Sequence, residues 1–136
     1  MKGGIVYMNW KYVKPLKNAN AVKEFEEANG FSLPQDICDC IREYNGGRPD
    51  RKCYDTEETE GRMIKCLLSY NPEDPETVYD ACKALPGENL VPVASEPGGD
   101  LICYDETDKT IVVWLHETNG KEKVADTFTE FLDDLY

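Results

Sequence analysis

Two glycine pairs constrain this chain most: Asn45-Gly46-Gly47 and Pro97-Gly98-Gly99-Asp100. Each abuts an apolar segment, so each marks a sharp turn or a place where another group packs close to the backbone. The first follows Leu33, Ile37, Ile41 and Tyr44, spaced as one stripe of a helix. It ends that helix, with one of its glycines in the left-handed conformation. The second leads into Leu101 to Asp105 and then Thr110 to His116, two strands of a hairpin across Asp105-Glu106-Thr107-Asp108-Lys109. Ile111, Val113 and Leu115 alternate with Val112 and Trp114, so that second strand is expected to be covered on both faces.

The rest of the chain fits around these marks. Ala21 to Asn29 reads as a helix, with Asn18 or Asn20 as cap and Gly30 as stop. Ser32 and Gln35 fit a capping box for the next helix, with Pro34 tolerated in its first turn. Arg48 to Gly61 shows no periodicity and is expected to be an irregular acidic surface loop. Arg62 to Tyr70 reads as a strand. Asp74 and Pro75 open a helix with Val78, Cys82 and Leu85 buried, stopped at Pro86-Gly87. Leu90 to Ala94 reads as a strand pushed to an edge by Pro92. Glu117 to Lys123 reads as a polar loop. Val124, Phe128, Phe131, Leu132 and Leu135 form a helical stripe, which a capping box at Thr127 and Glu130 would shorten. The 136 residues suit one domain, and front helices, later strands and a closing helix indicate α+β.

The formal net charge is −12, from 27 acidic and 15 basic residues. That balance argues against direct nucleic-acid binding and against an anionic membrane surface, and it suits a basic protein partner. Met1 to Tyr7 lacks the apolar stretch of a leader, and no run approaches a membrane span, so a cytoplasmic location is expected. Thiols stay reduced there. The six cysteines contain no Cys-x-x-Cys pair, and Cys38 and Cys40 point to different faces of one helix, so no metal site is expected.

Other chemistry fails on spacing. Asp105, Glu106 and Asp108 resemble a calcium loop, but Thr110 and His116 stand where glycine and glutamate are needed. They read instead as a solvated turn. Gly98-Gly99-Asp100 precedes a strand and an acid, which does not suit phosphate. Cys103 and His116 are the raw material of a nucleophile pair, without a third orienting group. Trp10 reads as an anchor for the N-terminal segment, with partner binding as the alternative.

In order, several pieces resemble the SMI1/KNR4 family of the SUKH superfamily. They are Trp10, Phe25-Glu26, Gly30-Phe31-Ser32-Leu33-Pro34, Asn45-Gly46-Gly47 and Leu90 to Ala94. They continue with Gly98 to Asp105, Val112-Val113-Trp114, His116-Glu117, and Phe128 with Phe131-Leu132. The resemblance covers nearly the whole chain and matches Arg48 to Gly61 least. It implies helices around a curved, mainly antiparallel sheet, with no cofactor and no enzymatic activity. It further implies an immunity protein of a polymorphic toxin system that binds a cognate toxin domain, here expected to be a basic nuclease. The binding face would present Trp10, Glu26, Asp50, Asp55, Glu57, Glu58, Glu60 and Asp100, on a monomer or weak dimer. A regulatory or scaffold module with a non-toxin partner is the alternative.

Overall fold

The computed structural model describes residues 8–136 apart from Pro86 and Glu88. Met1 to Tyr7, read above for a leader, and Pro86 of the helix stop lie outside the described residues. The fold is α+β: among the described residues, four helices and a mainly antiparallel set of strands surround one hydrophobic cluster.

A short strand β1 (Trp10–Lys11) pairs with β2 (Arg48–Pro49), Trp10 opposite Pro49. Helix α1 (Ala21–Asn29) follows, stopped by Gly30 at φ 71°, whose N–H donates to Glu26 O. Asn18 Oδ1 accepts from the Asn20 N–H, and Asn20 occupies the cap position without a side-chain bond to the helix. In α2 (Gln35–Tyr44) the capping box does not form. Pro34 holds the cap position, and the Ser32 N–H donates to Glu106 instead. Leu33, Ile37 and Ile41 are buried as the stripe requires.

Asn45-Gly46-Gly47 ends α2, with Gly46 at φ 72°. Asn45 is fully buried and its amide joins three segments. It donates to Lys14 O at 2.8 Å and Ser69 Oγ at 3.0 Å, and accepts from the Tyr70 N–H at 2.8 Å. At Gly47 a Cβ would lie 2.8 Å from Tyr44 O and 3.3 Å from the Trp10 ring. The glycine is therefore what lets β1 lie on the end of α2.

The segment 48–61 is not irregular throughout. It contains β2 and β3 (Cys53–Tyr54), and β3 pairs with β4 (Arg62–Met63). Tyr54 is buried, its ring edge-on to Phe131 at 5.3 Å. The expected single strand over Arg62 to Tyr70 is split between β4 and β5 (Cys66–Leu67), which belong to different sheets.

Helix α3 (Val78–Ala84) starts later than Asp74-Pro75 suggested. Thr77 caps it through the Asp80 N–H, because Asp74 is occupied by Ser69 Oγ and Asn71 Nδ2. The main sheet runs β5-β6-β7-β8-β9, all antiparallel, adding β6 (Leu90–Ser95), β7 (Leu101–Asp105), β8 (Thr110–Leu115) and β9 (Gly120–Ala125). Pro92 does not make β6 an edge strand. A register shift between Pro92 and Ala94 absorbs the missing donor, and β5 pairs alongside at Ala94 and Ser95. The expected loop before the last helix is strand β9, so Val124 lies on the sheet and not in the helix. Helix α4 (Phe128–Asp133) is short, capped by Thr127 through the Glu130 N–H, and packs on α2, β8 and β9. No helix among the described residues is long and apolar enough to cross a membrane.

Candidate functional site

The acidic run sits on the loop between β3 and β4, held against the outer edge of the main sheet. Thr56 Oγ1 donates to Glu122 Oε1 on β9 at 2.7 Å, and Thr59 Oγ1 donates to the same atom at 3.0 Å. Thr56 Oγ1 in turn accepts from the N–H groups of Glu58 and Thr59. The carboxylate of Asp55 closes the loop by accepting from the Gly61 N–H and the Tyr136 hydroxyl, both of which hold it below its ordinary pKa. Cys53 and Tyr136 exchange both backbone hydrogen bonds, so Tyr136 braces the hairpin. The carboxylates of Glu57, Glu58 and Glu60 are left exposed on this frame.

The other residues expected at the binding face lie on different elements. Asp50 sits beyond β2 and accepts from the backbone and side chain of Asn9. Glu26 on α1 accepts from the Leu33 N–H at 2.7 Å, which fastens the turn between α1 and α2. Trp10 is half-buried and stacked on Tyr44, with ring centroids 5.0 Å apart and planes 12° apart. It lines a cavity of about 240 Å³ with Asp36, Asp39 and Glu43. Only Asp55, Glu57, Glu58 and Glu60 come together.

Asp100 belongs to a buried chain of polar groups. Its Oδ2 accepts from Arg62 Nη2 at 2.6 Å, and its Oδ1 meets His116 Nδ1 at 2.5 Å and accepts from the His116 N–H at 3.0 Å. Arg62 also grips Glu96 with two bonds, Nε to Oε2 at 3.0 Å and Nη2 to Oε1 at 2.7 Å. The Tyr54 hydroxyl donates to the same Glu96 carboxylate. Burial, and then that carboxylate, push the Tyr54 phenol far up. Burial alone would raise Asp100, but the His116 donors and Arg62 outweigh it and hold its carboxyl low. The turn Glu96 to Asp100 carries both acids, and Gly99, at φ 104°, lies under the His116 ring.

Sequence reasoning missed Tyr54, Arg62 and Glu96. The available signal was two carboxylates, Glu96 and Asp100, flanking one tight turn, an arrangement that needs a cation between them.

Asp105 does not keep its turn solvated. It is 1% exposed and accepts from Lys121 Nζ at 2.7 Å and from the N–H groups of Thr107 and Asp108. Burial opposes ionisation, but Lys121 and the two backbone donors prevail and lower its pKa. Trp114 is similarly tied, its indole N–H donating to Asn119 across the β8–β9 turn.

No reactive pair is assembled from Cys103 and His116. The Cys103 thiol is buried and faces Leu101 O, while His116 is committed to Asp100. Burial pushes the Cys103 thiol far up, the Cys40 thiol to about 12 and the Cys66 thiol to about 11, with the Glu76 carboxylate adding to Cys66. These thiols are protonated at neutral pH and poor nucleophiles.

This chain is 27% identical to the SPbeta prophage-derived uncharacterized protein YokK of Bacillus subtilis (strain 168). That alignment of 146 positions covers 89% of this chain and 76% of YokK. The model of the SMI1 / KNR4 family (SUKH-1) matches residues 18–134, from the turn before α1 to the end of α4, taking in the Asn45 hub, the Gly98-Gly99 turn and the β7–β8 hairpin. With that match over most of its length, the chain belongs to the SMI1/KNR4 family (SUKH-1).

Proposed function

We propose that this protein works by binding, as an immunity protein that neutralises a cognate toxin domain, with the exposed carboxylates of Glu57, Glu58 and Glu60 as its electrostatic contact. The observation that carries the reading is the bracing of that loop. Hydrogen bonds to Glu122 and between Asp55 and Tyr136 brace it within the chain itself. A preformed acidic surface loses little conformational entropy on docking, and its field speeds encounter with a basic domain. Family membership supports the same class of function, and the raised thiols offer no competing chemistry.

A basic nuclease domain is the expected partner, since its active surface must itself attract phosphate. The test is co-expression with basic nuclease toxin domains from neighbouring loci, followed by calorimetry at low and high salt. The expected result is restored growth and a complex that weakens with salt. Reversing charge with Glu57→Lys and Glu58→Lys should slow association by about tenfold or more. A growth rescue that survives both substitutions with an unchanged association rate would reject this loop as the contact. Absence of any complex would reject the immunity reading.

A further inference from the structure

One surface of this acidic chain has the opposite sign. Two adjoining cavities, of about 340 and 510 Å³, share Tyr12, Arg48 and Lys65 in their walls. Together they gather Lys11, Lys14, Arg48, Lys52 and Lys65 against two carboxylates, Glu76 and Asp50. The whole chain has 27 acidic and 15 basic residues, so this face inverts the average. Both carboxylates are already occupied: Glu76 by Lys65 and the Cys66 thiol, Asp50 by Asn9. Among the described residues Lys11, Lys14, Arg48 and Lys52 form no salt bridge, although Lys14 adds to the Ser69 hydroxyl in holding the Asp74 carboxyl low.

Tyr12 stands on the ridge between the cavities. It is 70% exposed, with φ at 57°, and the Arg48 guanidinium lies 5.6 Å from its ring centre. A bulky side chain in the left-handed region is strained, and glycine or asparagine would fill the position more easily. Such strain is kept where the side chain serves binding. Met63, 45% exposed, lines the second cavity with Ile64.

From these observations we infer that this groove docks an extended acidic segment of a protein partner. Its carboxylates pair with Arg48, Lys14, Lys11 and Lys52, and an apolar side chain rests on Tyr12 and Met63. A guanidinium over a ring face keeps its donor edge available for bidentate pairing with a carboxylate. A nucleic acid suits the groove less well, because a net charge of −12 repels a polyphosphate at longer range. The exposed thioether and ring also suit a peptide side chain. This groove reaches β4 at Met63 but shares no lining residue with the acidic loop at 55–61, and the inference does not depend on the toxin-binding reading.

The test uses the full chain and fluorescence anisotropy. The probe is a labelled glutamate-rich peptide with one central phenylalanine, compared with its glutamine counterpart and with a labelled DNA duplex. The acidic peptide should bind, weaken as salt rises, and outcompete both comparators. Arg48→Glu with Lys52→Glu should weaken it by about tenfold. Tyr12→Gly should weaken it several-fold while melting no lower than the parent protein, which separates loss of the platform from misfolding. Glu57→Lys should leave peptide affinity unchanged, whatever it does to a toxin complex. Equal binding of the glutamine peptide, tighter binding of DNA, no binding of the acidic peptide, or indifference to the charge reversal would each overturn the inference.

Discussion

Arg62 is the residue whose removal tests the physical account most sharply. Its side chain is 15% exposed, between Glu96 at 8% and Asp100 at 18%. Substituting methionine keeps much of the packing of the stem and deletes the charge. Two largely buried carboxylates then face each other without the guanidinium. Removing one partner of a buried pair costs about 3–5 kcal/mol, and the residual exposure of this cluster favours the lower end. For a chain of this length that lowers the melting temperature by roughly 10 °C.

The cost must also depend on pH. Asp100 has a depressed folded-state pKa. Its contribution is therefore complete above its unfolded value of about 3.9 and is lost as pH falls through the folded value. Part of that depression comes from Arg62, so the penalty of Arg62→Met is full at neutral pH and shrinks below about pH 4. Urea unfolding at both pH values measures it. Adding Glu96→Gln to the variant should restore about half of the loss by removing one uncompensated charge. A penalty below about 1 kcal/mol, or one that ignores pH, would refute the argument, since exposed ion pairs behave that way.

Two further outcomes follow from local geometry. Gly47→Ala should cost about 2 kcal/mol, because its Cβ would meet Tyr44 O at 2.8 Å and Trp10 at 3.3 Å, whereas Gly98→Ala, with nothing within 4 Å, should stay within about 0.5 kcal/mol; urea midpoints compare the two. Thr127→Ala should cost about 1 kcal/mol through loss of the Glu130 cap, while Ser32→Ala, whose side chain caps no helix, should cost under about 0.5 kcal/mol in the same assay.

What could be read from the chain was local. Helix α1 and the β7–β8 hairpin were legible because stripe, stop and turn lie within a few residues of each other. Strand β9 was not, because Gly-Lys-Glu-Lys-Val-Ala carries the charges that protect a sheet edge, and those charges resemble a loop. Pro92 misled in the opposite direction, since a register shift lets a proline sit inside a sheet. Tyr54 was hidden by the acids that follow it. The buried polar chain was beyond local reading altogether: Tyr54, Arg62, Glu96 and Asp100 are joined by folding, and no short window contains them. Asp100 was singled out, but its part in a buried network, and not in an open contact face, depends on Arg62.

That network bears on the proposed contact without touching it. Strands β3 and β4 carry the acidic loop, and each is fastened at its base: β3 by Tyr54 against Phe131 and Glu96, β4 by Arg62 against Glu96 and Asp100. The tip is fastened separately, by Glu122 and Tyr136. If preorganisation is what the bracing supplies, loosening the base should reduce affinity although every acidic side chain of the loop remains. Arg62→Met should therefore weaken a toxin complex mainly through faster dissociation, with the salt dependence of association preserved. Glu57→Lys should do the reverse, slowing association and flattening its salt dependence. Hydrogen exchange in residues 55–61 should rise in the first variant and not in the second. The same kinetic signature from both would mean that loop order and loop charge are not separate contributions, and the division between buried frame and exposed contact would fail.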